Sequence, residues 1–133
     1  MSGPRIVLRL DEDGRVYQPG DTLAGQYRMV SIDRDNIKAL ELSVLWYTDG
    51  KGDEDMGVHH FHRLSTEDGD WIDPRRPGVF RTNLPKSPMS YDGKIVKVRW
   101  CVRVRVFLKR GGEVVGQRQF RLGNVPKGKA LAT

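Results

Sequence analysis

The chain holds a single cysteine, Cys101, so no internal disulfide can brace it, and a reducing compartment is the natural setting. No apolar run reaches the roughly 18 residues of a membrane-spanning helix, so no span is expected. The opening Met1-Ser2-Gly3-Pro4-Arg5 lacks the apolar core of a secretory leader, and a cytoplasmic protein is the expectation. A phosphate-cradling glycine loop, a Gly-x-Ser-x-Gly elbow and a His-Glu-x-x-His helix are all missing, so the expectation is a non-enzymatic protein with no cofactor. Capped helical periodicity is missing as well, since apolar positions nowhere recur three and four residues apart over a long stretch.

What is present reads as strands. Ile6, Leu8 and Leu10 alternate with Val7 and Arg9, and a polar turn follows at residues 11–14. Gln18-Pro19-Gly20-Asp21 has the proline and glycine of a type II turn. Leu23, Gly25, Tyr27 and Met29 then share one face, with Gly25 marking a bulge or a close backbone approach. Leu40, Leu42, Val44 and Trp46 alternate with Glu41 and Ser43, and residues 48–55 form a polar loop. A short strand at residues 58–64 carries three histidines, residues 65–77 form a long loop, and residues 79–84 a further strand.

The strongest periodicity lies between residues 96 and 109. Val96, Val98, Trp100, Val102, Val104, Val106 and Leu108 are apolar, whereas Lys97, Arg99, Arg103, Arg105 and Lys109 are basic, interrupted by Cys101 and Phe107. A helix cannot segregate those two sets, because its period is about 3.6 residues. One face of this strand belongs inside, the other outside. For the hairpin that follows, a three-residue Arg110-Gly111-Gly112 loop sets Leu108 opposite Val114, Val102 opposite Phe120 and Lys109 opposite Glu113. A two-residue loop would instead bring polar residues into the core. Seven or eight such strands with Gly/Pro turns predict an all-β, immunoglobulin-like antiparallel sandwich over residues 1–126 and a loose tail over residues 127–133.

Charge is unevenly spread. Residues 1–93 carry 12 basic and 16 acidic side chains, while residues 94–133 carry 11 basic side chains and only Glu113 as an acid. The C-terminal third is therefore the expected source of a positive field, and its partner an acidic or phosphorylated protein segment held by Lys97, Arg99, Arg103, Arg105 and Lys109. A merely solvated face is the plainer alternative. Nucleic acid is unlikely as a partner on these grounds, because only Phe107 offers a ring on that face.

Other groups of polar and aromatic residues have simple structural readings. His59, His60 and His62, with Asp53, Glu54 and Asp55 nearby, fit no zinc spacing; on a regular strand His60 and His62 share a face and His59 opposes them, and ordinary histidines are expected. Asp11, Glu12 and Asp13 lack the stagger of a calcium loop and read as turn residues. Cys101 between Arg99 and Arg103 invites a lowered thiol pKa, yet an inert thiol is favoured. Trp46, Trp100 and Phe120 belong to the core, and Trp71 either plugs the end of the sandwich or lies exposed.

The stretch from Phe80 through Leu84-Pro85, Ser87-Pro88, Tyr91, Gly93 and the alternating strand to Val104 resembles the N-terminal domain of the arrestin family. Tyr17 to Tyr27 and Ile37 to Val44 are similar to that family's early strands, so the likeness runs from about residue 6 to residue 125. It implies an immunoglobulin-like sandwich acting as an adaptor, a fold shared by bacterial sporulation-control proteins. Arrestins pair two such sandwiches and this sequence accommodates one, so their phosphate-sensing interdomain core has no counterpart here, and no binding residue transfers. The surface that arrestins give to their second domain could serve a homodimer, which makes a self-associating structural sandwich the alternative function.

Overall fold

The computed structural model describes residues 3–52 and 54–123. The expected domain end at residue 126 and the tail at 127–133 lie outside the described residues. Nine strands follow one another: β1 (Arg5–Leu10), β2 (Val16–Tyr17), β3 (Thr22–Val30), β4 (Ile37–Gly50), β5 (Met56–Ser65), β6 (Gly78–Asn83), β7 (Tyr91–Asp92), β8 (Val96–Leu108) and β9 (Glu113–Leu122). Only two 3-10 turns, Arg34–Asn36 and Thr66–Asp68, break the all-β pattern among the described residues.

The strands form two sheets. The small one has the order β1-β3-β6, the large one β2-β9-β8-β4-β5, with β7 pairing β8 beyond the end of β9. All ladders are antiparallel except the two-residue β2–β9 pairing, which is parallel. Between the sheets lie Leu8, Leu10, Leu23, Tyr27 and Phe80 from the small sheet and Leu40, Leu42, Val44, Trp100, Val102, Val104, Val106 and Leu122 from the large one. The even-numbered residues of β8 supply its inner side, as the two-residue period requires. Burying that apolar stripe is the main reason for this segment to lie as a strand at the centre of a sheet.

Local chemistry fixes the joints. The turn at residues 18–21 closes with the Asp21 amide donating to the Gln18 carbonyl at 2.9 Å. Gly25 marks a close approach: a Cβ there would stand 2.2 Å from the Arg9 carbonyl oxygen and 2.7 Å from the Phe80 ring. Trp100, 1% exposed, donates its indole N–H to the Pro88 carbonyl at 2.7 Å and so ties the Pro/Ser-rich loop to the core. Phe120 and Tyr17 extend that aromatic cluster, with ring centroids 5.8 Å (Trp100–Phe120) and 5.7 Å (Tyr17–Phe120) apart. Trp46 and Phe120 are half-buried against the same core.

The hairpin register differs from the expected one. Phe107 faces Glu113, Val106 faces Val114, Val104 faces Gly116 and Trp100 faces Phe120. Residues 109–112 form the connection, with Gly111 at φ 95° and Gly112 at φ 82°, so both glycines take the left-handed region. A tertiary clamp holds this wider loop. Asn36 accepts from the Lys109 amide through its carbonyl (2.7 Å) and from the Arg110 amide through its side chain (2.9 Å), and its side-chain amide donates to the Arg110 carbonyl (3.0 Å). Arg118 then sits opposite Val102 on the inner side of β9, where it stays exposed and forms an ion pair with Asp13.

Candidate functional site

The outer face of the large sheet carries the residues that the alternation singled out. Its cross-strand rows run Val58–Leu45–Cys101–Gln119, then Phe61–Ser43–Arg103–Gln117, then Arg63–Glu41–Arg105–Val115. Arg99, Arg103 and Arg105 do line up on β8, Lys97 stands exposed at its start, and Lys109 lies past its end in the hairpin loop. Two of the five, Arg99 and Arg105, have carboxylate partners among the described residues. Arg99 donates from Nε to Asp49 at 3.2 Å, and Arg105 reaches Glu113 at 2.7 Å while lying 5.0 Å from the Phe107 ring centroid. Arg103 donates to the neutral Gln117 amide oxygen at 2.9 Å and has no carboxylate partner among the described residues. Lys97 faces Asp49 on β4 and Asp92 on β7. The expected Lys109–Glu113 pair does not form, because Glu113 stands opposite Phe107 and serves Arg105.

Two further arginines of the basic third are paired as well. Arg118 pairs with Asp13 and Arg121 with Asp92. The Arg121 hydrogen bond, helped by Arg99 and Lys97, holds the Asp92 carboxyl below the usual carboxylate range. Sheet pairing thus brings acids from the first two-thirds of the chain onto the cations of the last third. A cavity of about 340 Å³ near the β8 start is lined by Asp13, Arg15, Asp92, Arg99 and Arg121, but these groups bind one another or nearby acids.

Beside the stripe lies a feature that the charge pattern hid. β5 is the outermost strand of the large sheet. On its outer face Met56, Val58 and Phe61 are each more than half exposed, at 57%, 51% and 52%. Leu45, Cys101 and Arg103 continue that strip inward. Sequence reasoning recorded the histidines of β5 and passed over these apolar residues, because β5 shows no clean alternation.

The irregularity is a β-bulge. The β4–β5 register shifts between Val44 and Leu45, leaving His59 without a cross-strand partner. The bulge turns His59 inward: its Nε2–H donates to the Asn83 carbonyl of β6 at 2.6 Å, and its ring meets Trp100 edge-on at 6.3 Å. The regular-strand expectation that His59 opposes the other two fails for this reason. His59 instead links the two sheets at their open side. Among the described residues no three His, Cys, Asp or Glu side chains are grouped to hold a metal ion; Asp53 lies outside them. Glu12 and Asp13 are engaged by Arg15 and Arg118.

Cys101 is 0% exposed although it lies on the outer face, beneath a hydrogen bond from the Gln119 side-chain amide to the Tyr47 hydroxyl at 2.9 Å. Burial pushes its thiol up to about 11, and the opposing pull of Arg103 is the smaller effect. Trp71 is 69% exposed with the Arg34 guanidinium 4.6 Å from its ring centroid, while its neighbour Ile72 is the buried residue.

The outer face of the small sheet is a second charged surface. Arg5, Val7 and Arg9 on β1 face Val30, Arg28 and Gln26 on β3, and Val79 and Arg81 on β6 continue the same side opposite Gln26 and Ala24. Arg5, Arg9, Arg28 and Arg81 are all exposed, and the three strands contain no acidic residue.

No helix among the described residues is long and apolar enough to cross a membrane. No protein-family model and no curated protein matches the sequence. Among solved structures, the crystal structure of Spo0M, a sporulation control protein from Bacillus subtilis, superposes with a TM-score of 0.64 at 16% identity, covering 95% of this chain and 51% of that one. The chain therefore spans about half the length of that protein. The likeness is one of fold, and it supports an arrestin-like, all-β sandwich for this chain.

Proposed function

We propose that this chain is a non-enzymatic binding module that takes an extended segment of a protein partner on the β5 edge. The observation that carries the reading is the joint presence, on one strand, of an outer edge without a strand neighbour among the described residues and of three exposed apolar side chains, Met56, Val58 and Phe61. An open edge offers unpaired N–H and C=O groups to an incoming strand, and pockets or patches for alternate side chains add selectivity. Isolated exposed apolar residues are ordinary, but three together on an edge strand form a contact patch. Arg103, left with a neutral partner, places one free positive charge beside it. An arrestin-like fold, which presents sheet edges and faces around a fixed core, supports the same reading.

The test is a selection of displayed random peptides on the full chain, with the Val58→Asp/Phe61→Asp double variant as a counter-target. Peptides of alternating apolar pattern should bind the wild type, lose affinity on the variant, and slow amide exchange along β5. Binding through edge pairing should resist salt, whereas binding to the cationic stripe should weaken with it. A failure to enrich any peptide that distinguishes the two proteins contradicts the proposal. A concentration series in the ultracentrifuge separates this from self-association, in which β5 would meet a second copy.

A further inference from the structure

We infer that the outer face of the small sheet docks on an anionic lipid membrane. Four arginines, Arg5, Arg9, Arg28 and Arg81, project from three adjacent strands that contain no Asp or Glu, and among the described residues none of the four takes part in an ion pair or a side-chain hydrogen bond. This contrasts with Arg99, Arg105, Arg118 and Arg121 on the large sheet, each of which has a carboxylate partner. Given strand spacings of about 4.8 Å and a rise of about 3.3 Å per residue, the four cations cover a patch of roughly 10 by 20 Å.

The shape of the patch selects the partner. It is a sheet face with a hollow of about 280 Å³ lined by Arg5, Val7, Arg9, Gln26, Arg28 and Val30. The edges of the small sheet turn toward the large one: Ile6 of β1 packs on Gly116 of β9, where an added Cβ would lie 2.8 Å away, and the Asn83 carbonyl of β6 accepts from His59. The four arginines stand on the sheet face and not along either edge, so strand addition would not engage them. Nucleic acid would call for aromatic platforms or an element that enters a groove, and this face has neither. Guanidinium groups spread over three strands and interspersed with exposed aliphatic tips, Val79 at 79% and Val7 at 38%, fit a layer of phosphate headgroups instead. The face lies on the opposite side of the sandwich from the Met56–Val58–Phe61 strip, so a docked molecule would hold its β5 patch away from the bilayer.

The experiment is co-sedimentation of the full chain with vesicles of phosphatidylcholine alone or with about 30% phosphatidylserine, at about 0.1 M salt. Each basic residue near an anionic leaflet strengthens binding about fivefold, so the wild type should bind the anionic vesicles selectively and release them in high salt. The triple variant Arg5→Gln/Arg9→Gln/Arg28→Gln should bind about 100-fold more weakly. The exposed side chains it alters form no ion pair or side-chain hydrogen bond among the described residues, and circular dichroism verifies that the variant is folded. Arg103→Gln/Arg105→Gln should keep vesicle binding, as should Val58→Asp/Phe61→Asp, so loss of the β5 reading and loss of this one are separable. Equal binding to neutral vesicles, unchanged binding by the triple variant, or binding only to a soluble polyglutamate or oligonucleotide probe would overturn the inference.

Discussion

Replacing Trp100 by Phe tests the joint that ties the Pro/Ser-rich loop to the core. Trp100 is 1% exposed, and its indole donates to the Pro88 carbonyl at 2.7 Å. Phenylalanine keeps a ring in place but removes the donor and the outer part of the bicycle. Leaving a part-buried carbonyl without its partner costs about 1–3 kcal/mol. The space opened between Phe120 and His59, whose ring centroids lie 5.8 and 6.3 Å from that of Trp100, adds about 1 kcal/mol through lost packing. A total near 3 kcal/mol is a large share of the roughly 5–15 kcal/mol that holds a domain of this kind together, and should lower Tm by roughly 10 °C. Urea melts followed by far-UV circular dichroism measure the difference. The matched control is Trp71→Phe, at a residue 69% exposed, which should change stability by no more than about 0.5 kcal/mol. If both variants lose the same amount, or if Trp100→Phe loses under about 0.5 kcal/mol, the placement of Trp100 at the centre of the sandwich is refuted.

Further expectations concern the clamp, the carboxylates and the thiol. Asn36→Ala removes two side-chain hydrogen bonds to the hairpin loop, and should cost about 1–2 kcal/mol in urea melts and speed amide exchange at Arg110. Asp21, Asp73 and Asp92 are held below the ordinary carboxylate range by the Gln18 amide with Arg15, by Arg75 and by Arg121 respectively. The folded chain therefore binds fewer protons than the unfolded one in acid; the stabilisation is present above the unfolded carboxylate pKa of about 4 and is lost as pH falls through the lower folded values. Urea midpoints should drop on acidification, and the Arg121→Gln variant should show a smaller drop. The Cys101 thiol, raised to about 11 by burial, should resist a thiol reagent at neutral pH and react at once in denaturant.

The strand-level pattern was legible where a strand has one wet and one dry face. The run from Val96 to Leu108 placed Trp100, Val102, Val104 and Val106 inside correctly, because a two-residue period admits one assignment. Gly25 was legible as a close approach, since only a missing Cβ fits beside the Arg9 carbonyl. The hairpin register was not, because the Asn36 clamp that widens the loop comes from more than 70 residues away. The orientation of His59 was hidden for a similar reason: a bulge is a property of two paired strands and leaves no mark on one of them. Charge was legible only as a sum along the chain. Counting along the chain located the excess of basic residues in the last third, but it could not show that pairing across the sheets gives Arg99, Arg118 and Arg121 acids from earlier segments and leaves Arg5, Arg9, Arg28 and Arg81 without any.

That redistribution is open to direct measurement. Brief modification of the native chain with an arginine-specific dicarbonyl, followed by peptide mass spectrometry, ranks each guanidinium by its freedom. Arg5, Arg9, Arg28 and Arg81 should be modified first, with Arg99, Arg105, Arg118 and Arg121 delayed by their carboxylate partners. Equal rates for the two sets, or faster reaction of the β8 and β9 arginines, would contradict the account.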